Sequence, residues 1–439
     1  MGYFGVRNFQ GMRFFVCRLA YGGWRRRGYL GAHMAAMIEI INDGSVTSAK
    51  GFRAGGTYAG LKTQDDGVLD LGILLSDAPA NLAATFSTNK VLSPSVVLSR
   101  QRAERGMARG VVANSGCANC CVGDQGLADA AELTALAAEH VGVGADDMLV
   151  CSTGMIGIEL PMALLRQHIG NVSLSAGGGH AFARSIMTTD TMHKDLAVSL
   201  DIGGRKVTLG GAAKGVGMIH PNMATMLAFV ATDAAVEQSF LQAALSRAVD
   251  ASFNMCSVDG DQSTNDTALV FANGEAGGDE VTAGTPDAEA FEEALTFVCQ
   301  SLAKAMVRDG EGAKKLIEVT VNDAASLVDA RTAAREISTS SLVKAMVHGN
   351  DPNWGRIMMA LGKSGANMEE SKIQIYINDI QIVDEGKAIP FHLDSVVSAM
   401  ASSPDVRLGV NLSMGDASAT AWGCDLTEEY VTFNSAYST

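Results

Sequence analysis

Aromatic side chains are scarce in this chain, 6% of 439 residues, and charged ones make up only 18%. Cationic residues are the scarcer sign: 33 Lys and Arg stand against 48 Asp and Glu. The resulting net charge of -15 opposes electrostatic binding to nucleic acid or an anionic membrane. No uninterrupted apolar run is long enough for a membrane span or a signal-peptide core. No coiled-coil heptad, low-complexity linker or Pro-rich hinge interrupts the chain, so one body with a core shared by both halves is expected. What is abundant is apolar: 47% hydrophobic residues over this length can bury a large core. Few aromatics together with 48 Gly and 21 Met point to mixed helix and sheet rather than a β-sandwich.

The eight cysteines lie scattered at positions 17, 117, 120, 121, 151, 256, 299 and 424. A chain this large without a secretory signal needs no disulfide framework, which suits a reducing compartment. Cys117, Cys120 and Cys121 have no second CxxC nearby and no His at ligand spacing, so they read as buried or loop thiols rather than a metal site. No acidic residue precedes Glu39, while Arg7, Arg13, Arg18, Arg25, Arg26 and Arg27 do. Arg-rich and acid-poor is half of a transit-peptide signature; the other half is missing, because the first Ser is Ser45. A disordered extension over residues 1–38, or translation from Met34 or Met37, is expected in a cytoplasmic protein. A mitochondrial matrix or plastid address is the alternative.

Periodicity places two helices and three strands. Leu133, Leu136, Ala137 and Val141 form an apolar stripe ending near Gly142. Leu241, Leu245, Ala248 and Val249 form another behind a candidate Ser239 cap. Alternation marks strands through Ile317, Val319 and Val321, through Ile373, Ile375 and Ile377, and through Val406, Leu408, Val410 and Leu412. Thr189-Asp190-Thr191 and Asn265-Asp266-Thr267 each precede apolar alternation, an echo that a duplicated fold or chance would give equally.

Residues 214–229 read KGVGMIHPNMATMLAF: a Gly-rich turn, a His-Pro-Asn corner, then Ala224 and Thr225 leading into an apolar run. Thr at a strand start is ordinarily explained by β-propensity or a cap. A phosphate loop is disfavoured, since Lys214 precedes Gly215 and Gly217 and no complete phosphate motif is present. His220 beside Pro221 reads as structural.

The segment KGVGMIHPNMATML resembles the self-processing segment of the ornithine acetyltransferase family. The likeness extends through GFRAGGTYAGLK (51–62), VVANSGCANCCVG (111–123), CSTGMIG (151–157), MTTDTMHK (187–194), SVDGDQSTNDT (257–267), VRDGEGAKK (307–315), DPNWGRI (351–357) and the terminal NSAYST, in the family's order from about residue 45 onward. His193 stands where relatives often carry Pro, and Cys117 and Cys120 where they commonly have Asn and Ala.

The resemblance implies an α+β protein, a layered α/β/β/α sandwich of the self-cleaving acetyltransferase and aminopeptidase type. It implies cleavage between Ala224 and Thr225 into an α fragment (39–224) and a β fragment (225–439), two of each in a heterotetramer. Thr225 would be the nucleophile and Thr153 with Gly154 the oxyanion-stabilising pair. Thr188, Lys214, Thr225, Glu311, Asn434 and Thr439 would hold the substrate. The chemistry fits: a Thr hydroxyl needs an adjacent base, and cleavage supplies Thr225's own α-amino group, with an ordinary pKa of about 7.7–8.0. Acetyl would pass from N-acetylornithine to Thr225 and then to glutamate, with no metal and no dissociable cofactor. Acetyl-CoA as an additional donor is left open by these residues. The rival readings are a self-processing aminopeptidase or amidohydrolase, with water as acceptor, and a non-catalytic amino-acid-binding protein with an intact chain.

Overall fold

The computed structural model describes residues 38–220 and 226–436. Ala224, Thr225, Thr439 and all of the expected N-terminal extension but Ile38 lie outside the described residues.

The run after Met226 that the sequence marks as a buried strand becomes Leu227–Thr232, all six residues buried. Its side chains serve two cores: Leu227, Phe229 and Ala231 join one cluster, Ala228 and Val230 another. A strand covered on both faces has no polar alternation, which is why this segment reads as a continuous apolar run. It pairs in parallel with Thr267–Ala272 and antiparallel with Arg205–Lys214. These belong to a nine-stranded sheet ordered Glu39–Ile41, Lys194–Ile202, Arg205–Lys214, Leu227–Thr232, Thr267–Ala272, Leu71–Phe86, Met107–Cys117 and Met148–Met155, with Phe52–Thr57 also pairing to Leu71–Phe86.

The three strands expected from alternation build a second sheet of seven strands. Its order is Lys387–Ala388, Ile380–Asp384, Gln374–Ile377, Asp405–Asn411, Leu316–Ala324, Ala417–Cys424 and Cys256–Ser257. Ile317, Val319 and Val321 are fully buried between half-buried Glu318 and Thr320, the pattern of a sheet with one core face.

Helices cover both sheets, giving a layered α+β fold. Gln125–Val141 buries Leu133 and Ala137 and stops at Gly142, whose φ of 74° is the left-handed C-cap that glycine adopts without strain. Gln238–Asp250 buries Leu241, Leu245, Ala248 and Val249, but its cap is Glu237 and not Ser239. The Glu237 carboxylate accepts from the amides of Ser239 and Phe240 and also from the Ser239 hydroxyl, so Ser239 lies inside the helix. Helix Pro286–Arg308 packs on Lys194–Ile202 and Arg205–Lys214 of the first sheet and on Ala417–Cys424 of the second. The largest core cluster accordingly mixes Val198, Val230, Phe291 and Val319. Among the described residues no helix is long and apolar enough to cross a membrane. The described cysteines are all free thiols, buried except for Cys121.

Candidate active site

Lys214 ends its strand directly opposite Leu227, and Thr267 begins its strand opposite the same residue. The Thr267 amide donates to the Met226 carbonyl at 2.9 Å. Met226, the residue after Thr225, is therefore held between the end of one strand and the start of another, near the middle of the nine-stranded sheet.

Around Lys214 three of the other expected substrate residues, Thr188, Glu311 and Asn434, are joined by hydrogen bonds. The Lys214 ammonium donates to the Thr188 hydroxyl at 2.7 Å and lies 3.9 Å from Asp190. Asp190 organises the loop: it accepts from the Thr188 amide at 3.1 Å, the Gly215 amide at 2.9 Å and Lys194 at 2.6 Å. Lys194 also donates to Asp309 at 2.7 Å, and Asp309 accepts from both the amide and the hydroxyl of Thr191. Two residues after Asp309, Glu311 accepts from the Thr189 hydroxyl at 2.8 Å and from the Asn434 side-chain amide at 2.9 Å. Thr188, Lys214, Glu311 and Asn434 thus form one connected polar cluster, built from four separate stretches of chain. Lys214 is buried rather than a solvated surface charge, whereas Asn434 is exposed.

Thr153 and Gly154 end the strand Met148–Met155, opposite Ser115 and Gly116 of a neighbour that bulges there. Gly154 has a φ of 129°, and a Cβ on it would sit 2.3 Å from the Gly116 backbone, so only glycine fits. The preceding carbonyl, of Ser152, is tied to the other half of the chain. The Asn265 amide donates to it at 2.8 Å and to the Ala118 carbonyl at 2.6 Å. Asn265 lies two residues before Thr267, so the end of the Thr153-Gly154 strand and the strand beside Met226 share one bracket.

The electrostatics separate the groups. Burial by itself would raise the Asp190 carboxyl, but Lys214 and Lys194 outweigh it and hold the pKa at about 2. Burial pulls the Lys214 ammonium below its usual value and Lys194 adds to this, while Asp190 and Glu311 oppose it. Lys62, which donates to the Met187 carbonyl at 2.8 Å, is lowered to about 8, first by burial and then by Lys214, against Asp70 and Asp190. Asp266 goes the other way. Burial pushes its carboxyl well above the usual range, with only partial relief from the Met226 backbone, the Ser87 hydroxyl and Lys214; among the described residues neither oxygen completes a hydrogen bond.

His220 has both ring nitrogens engaged: Arg335 donates to Nε2 at 3.1 Å, and Nδ1 faces the Ser257 hydroxyl at 3.3 Å. Burial and the Arg335 charge keep it below its ordinary pKa, which fits the structural reading. A cavity of about 500 Å³ opens beside it, lined by Arg331, Arg335 and Glu336 among others, and Thr188, Lys214, Glu311 and Asn434 are not in its lining. Asp190, Lys62, Asn265 and Asp309 were not singled out as site residues from the sequence. The repeated Asp-Thr pair was the available signal for Asp190, and the block SVDGDQSTNDT for Asn265.

The ArgJ family matches residues 53–439 of the chain. The chain is 46% identical over 406 residues to the arginine biosynthesis bifunctional protein ArgJ of Dehalococcoides mccartyi, covering 92% of this chain and 100% of that protein. It is 48% identical over 398 residues to the protein of the same name from Symbiobacterium thermophilum, covering 90% and 99%. A crystal structure of the arginine biosynthesis bifunctional protein ArgJ of Bacillus halodurans is 42% identical and covers 48% of this chain and 100% of that one, with a TM-score of 0.48. On the match over residues 53–439 and these near full-length identities, the chain belongs to the ArgJ family.

Proposed function

We propose that this acetyltransferase of arginine biosynthesis cuts itself between Ala224 and Thr225 and then carries acetyl on the Thr225 hydroxyl. The acetyl moves from N2-acetylornithine to glutamate, releasing ornithine and forming N-acetylglutamate. The single observation that carries this reading is the polar cluster of Thr188, Lys214, Glu311 and Asn434, whose Lys214 lies across the sheet from Leu227, two residues past Thr225.

In the first half-reaction the neutral α-amino group of Thr225 takes the proton of its own Oγ as that oxygen attacks the acetyl carbonyl. The carbonyl oxygen gains the charge, and the Thr153 hydroxyl with the Gly154 N–H accommodates it. Collapse expels the α-amine of ornithine, which takes up the proton, and leaves acetyl-Thr225. In the second half-reaction the glutamate amine attacks the ester by the reverse path. Lys214 pairs with the substrate carboxylate and Glu311 with the cationic end of ornithine, the two charges such a substrate presents. Asn434 and Thr439 fix polar atoms of the substrate. Acetyl-CoA as a second donor is the further activity that the relatives' name, bifunctional protein, suggests.

The test begins on a denaturing gel. Cleavage gives bands of 224 and 215 residues from the 439-residue chain, and the smaller begins at Thr225 on N-terminal sequencing. Thr225→Ala is expected to run as one full-length band without activity; cleavage in that variant would defeat the mechanism. Ornithine release that requires added glutamate supports transfer, whereas release at the same rate without it supports a hydrolase.

A further inference from the structure

His180, on the short helix Gly179–Ser185, and His193, in the loop before the strand Lys194–Ile202, turn their rings toward one carboxylate. Asp195 Oδ2 lies 2.6 Å from His180 Nδ1, and Asp195 Oδ1 lies 3.0 Å from His193 Nδ1. The imidazole centroids are 5.5 Å apart. The Asp195 side chain is only 5% exposed, and among the described residues its ion-pair partners are these two histidines alone. The neighbouring ammonium, Lys194, instead pairs with Asp190 and Asp309. A buried carboxylate served by two imidazoles, with no Lys or Arg in contact, is an arrangement that a dication completes.

The outer nitrogen of His180 strengthens the case. Its Nε2 faces the exposed carboxylate of Asp43 at 3.5 Å. A ligating histidine characteristically directs its second nitrogen at a carboxylate, which fixes the tautomer and raises the basicity of the ligand nitrogen. One ligand atom from each of His180, His193 and Asp195 lies within 4.8 Å of the other two, close enough to surround a single ion. Both histidines are half-buried, so solvent reaches the cluster. The guanidinium of Arg184 is the nearby opposing charge, on an exposed side chain.

We propose that His180, His193 and Asp195 form a binding site for a zinc-class divalent ion. Two imidazoles and one carboxylate are the donor set such an ion prefers over magnesium or calcium. The ion ties the helix Gly179–Ser185 to the base of the loop that carries Thr188, Thr189 and Asp190. Asp195 and Lys194 are consecutive on a strand and point to opposite faces, so the ion stiffens the loop from behind without entering the reaction. The inference does not depend on the acetyl transfer proposed above.

The experiment is a zinc titration of metal-free, full-length protein by calorimetry, followed by cobalt substitution read by absorption. One zinc per chain is expected, and the cobalt form should show visible ligand-field bands without thiolate charge transfer. His193→Gln and Asp195→Asn each remove a ligand and should weaken zinc binding by more than about 100-fold, the upper range for losing an outer partner. Asp43→Asn should weaken it by about 10-fold. A Cys120→Ser, Cys121→Ser double variant should bind zinc as the parent does. No binding by the parent, binding that survives both ligand substitutions, or loss of zinc with the cysteines would each overturn the proposal. Should Asp195→Asn fail to fold, His193→Gln, at a half-exposed position, gives the same answer alone.

Discussion

Asp190 and Asp266 each stand just before a threonine at or near the head of a strand, each fully buried, yet their surroundings drive them in opposite directions. Asp190 meets Lys194, Lys214 and two backbone amides, and its carboxyl is held at about 2. Among the described residues Asp266 meets no ammonium within pairing distance and its carboxylate oxygens complete no hydrogen bond, and burial lifts it well above the usual range. Burial penalises the charged form in both; what differs is whether opposite charge is close enough to reverse it. The loop around Asp190 is thus a charged anchor, and the loop around Asp266 holds a carboxyl whose charged form burial disfavours.

The sharpest way to break the comparison is Asp190→Asn. Among the described residues it leaves Lys214 without its ion-pair partner and Lys194 with Asp309. Breaking a buried pair on one side costs about 3–5 kcal/mol, so a loss of that size is expected in urea unfolding. KM for acetylornithine should rise as well, because Thr188 and Lys214 both lose their shared anchor. A loss below about 1 kcal/mol, the range of an exposed pair, would mean that water reaches this cluster.

A smaller effect separates binding from holding the loop together. A Cβ on Gly217 would lie 2.5 and 2.6 Å from the two Glu311 carboxylate oxygens, the far end of a flexible side chain. Gly217→Ala should therefore displace that carboxylate from Thr189 and Asn434 while stability changes by only about 0.5 kcal/mol. A rise in KM of about tenfold, or about 1.4 kcal/mol of binding, is expected with kcat nearly unchanged. Equal losses in stability and KM would show instead that Glu311 is part of the anchor.

What the sequence could disclose of this arrangement follows from the range of each interaction. Strands with one core face announce themselves by alternation, and Ile317, Val319 and Val321 fell as expected. The buried strand after Thr225 was legible as an apolar run. Ser239 was misassigned as a cap because a Glu at position 237 can reach the same amides with a longer side chain. Thr188, Lys214, Glu311 and Asn434 were named only through family resemblance; no spacing joins residues more than two hundred positions apart. Asp190 and Asn265 act through contacts to distant backbone, and nothing in their local sequence specifies which carbonyl or ammonium they meet. The His180 and His193 convergence on Asp195 is hidden for the same reason, since helix and strand bring the rings together.

The expected effect of opposite sign tests the comparison most directly. Asp190, with its folded pKa depressed to about 2, stabilises the native state above the unfolded value of about 4, and this is lost as pH falls toward 2. Asp266 has the opposite sign. Its folded pKa is raised, so between about pH 4 and that raised value the native state holds a proton that the unfolded chain has released, and stability falls as pH rises by about 1.4 kcal/mol per unit. Asn mimics the protonated carboxyl and has no such slope. Asp266→Asn should therefore match the parent to within about 0.5 kcal/mol at acid pH and become the more stable of the two near neutrality, read from urea unfolding across that range. If instead the variant loses several kcal/mol near neutrality, as Asp190→Asn is expected to, then Asp266 is ionised and paired, and the two loops are electrostatically alike.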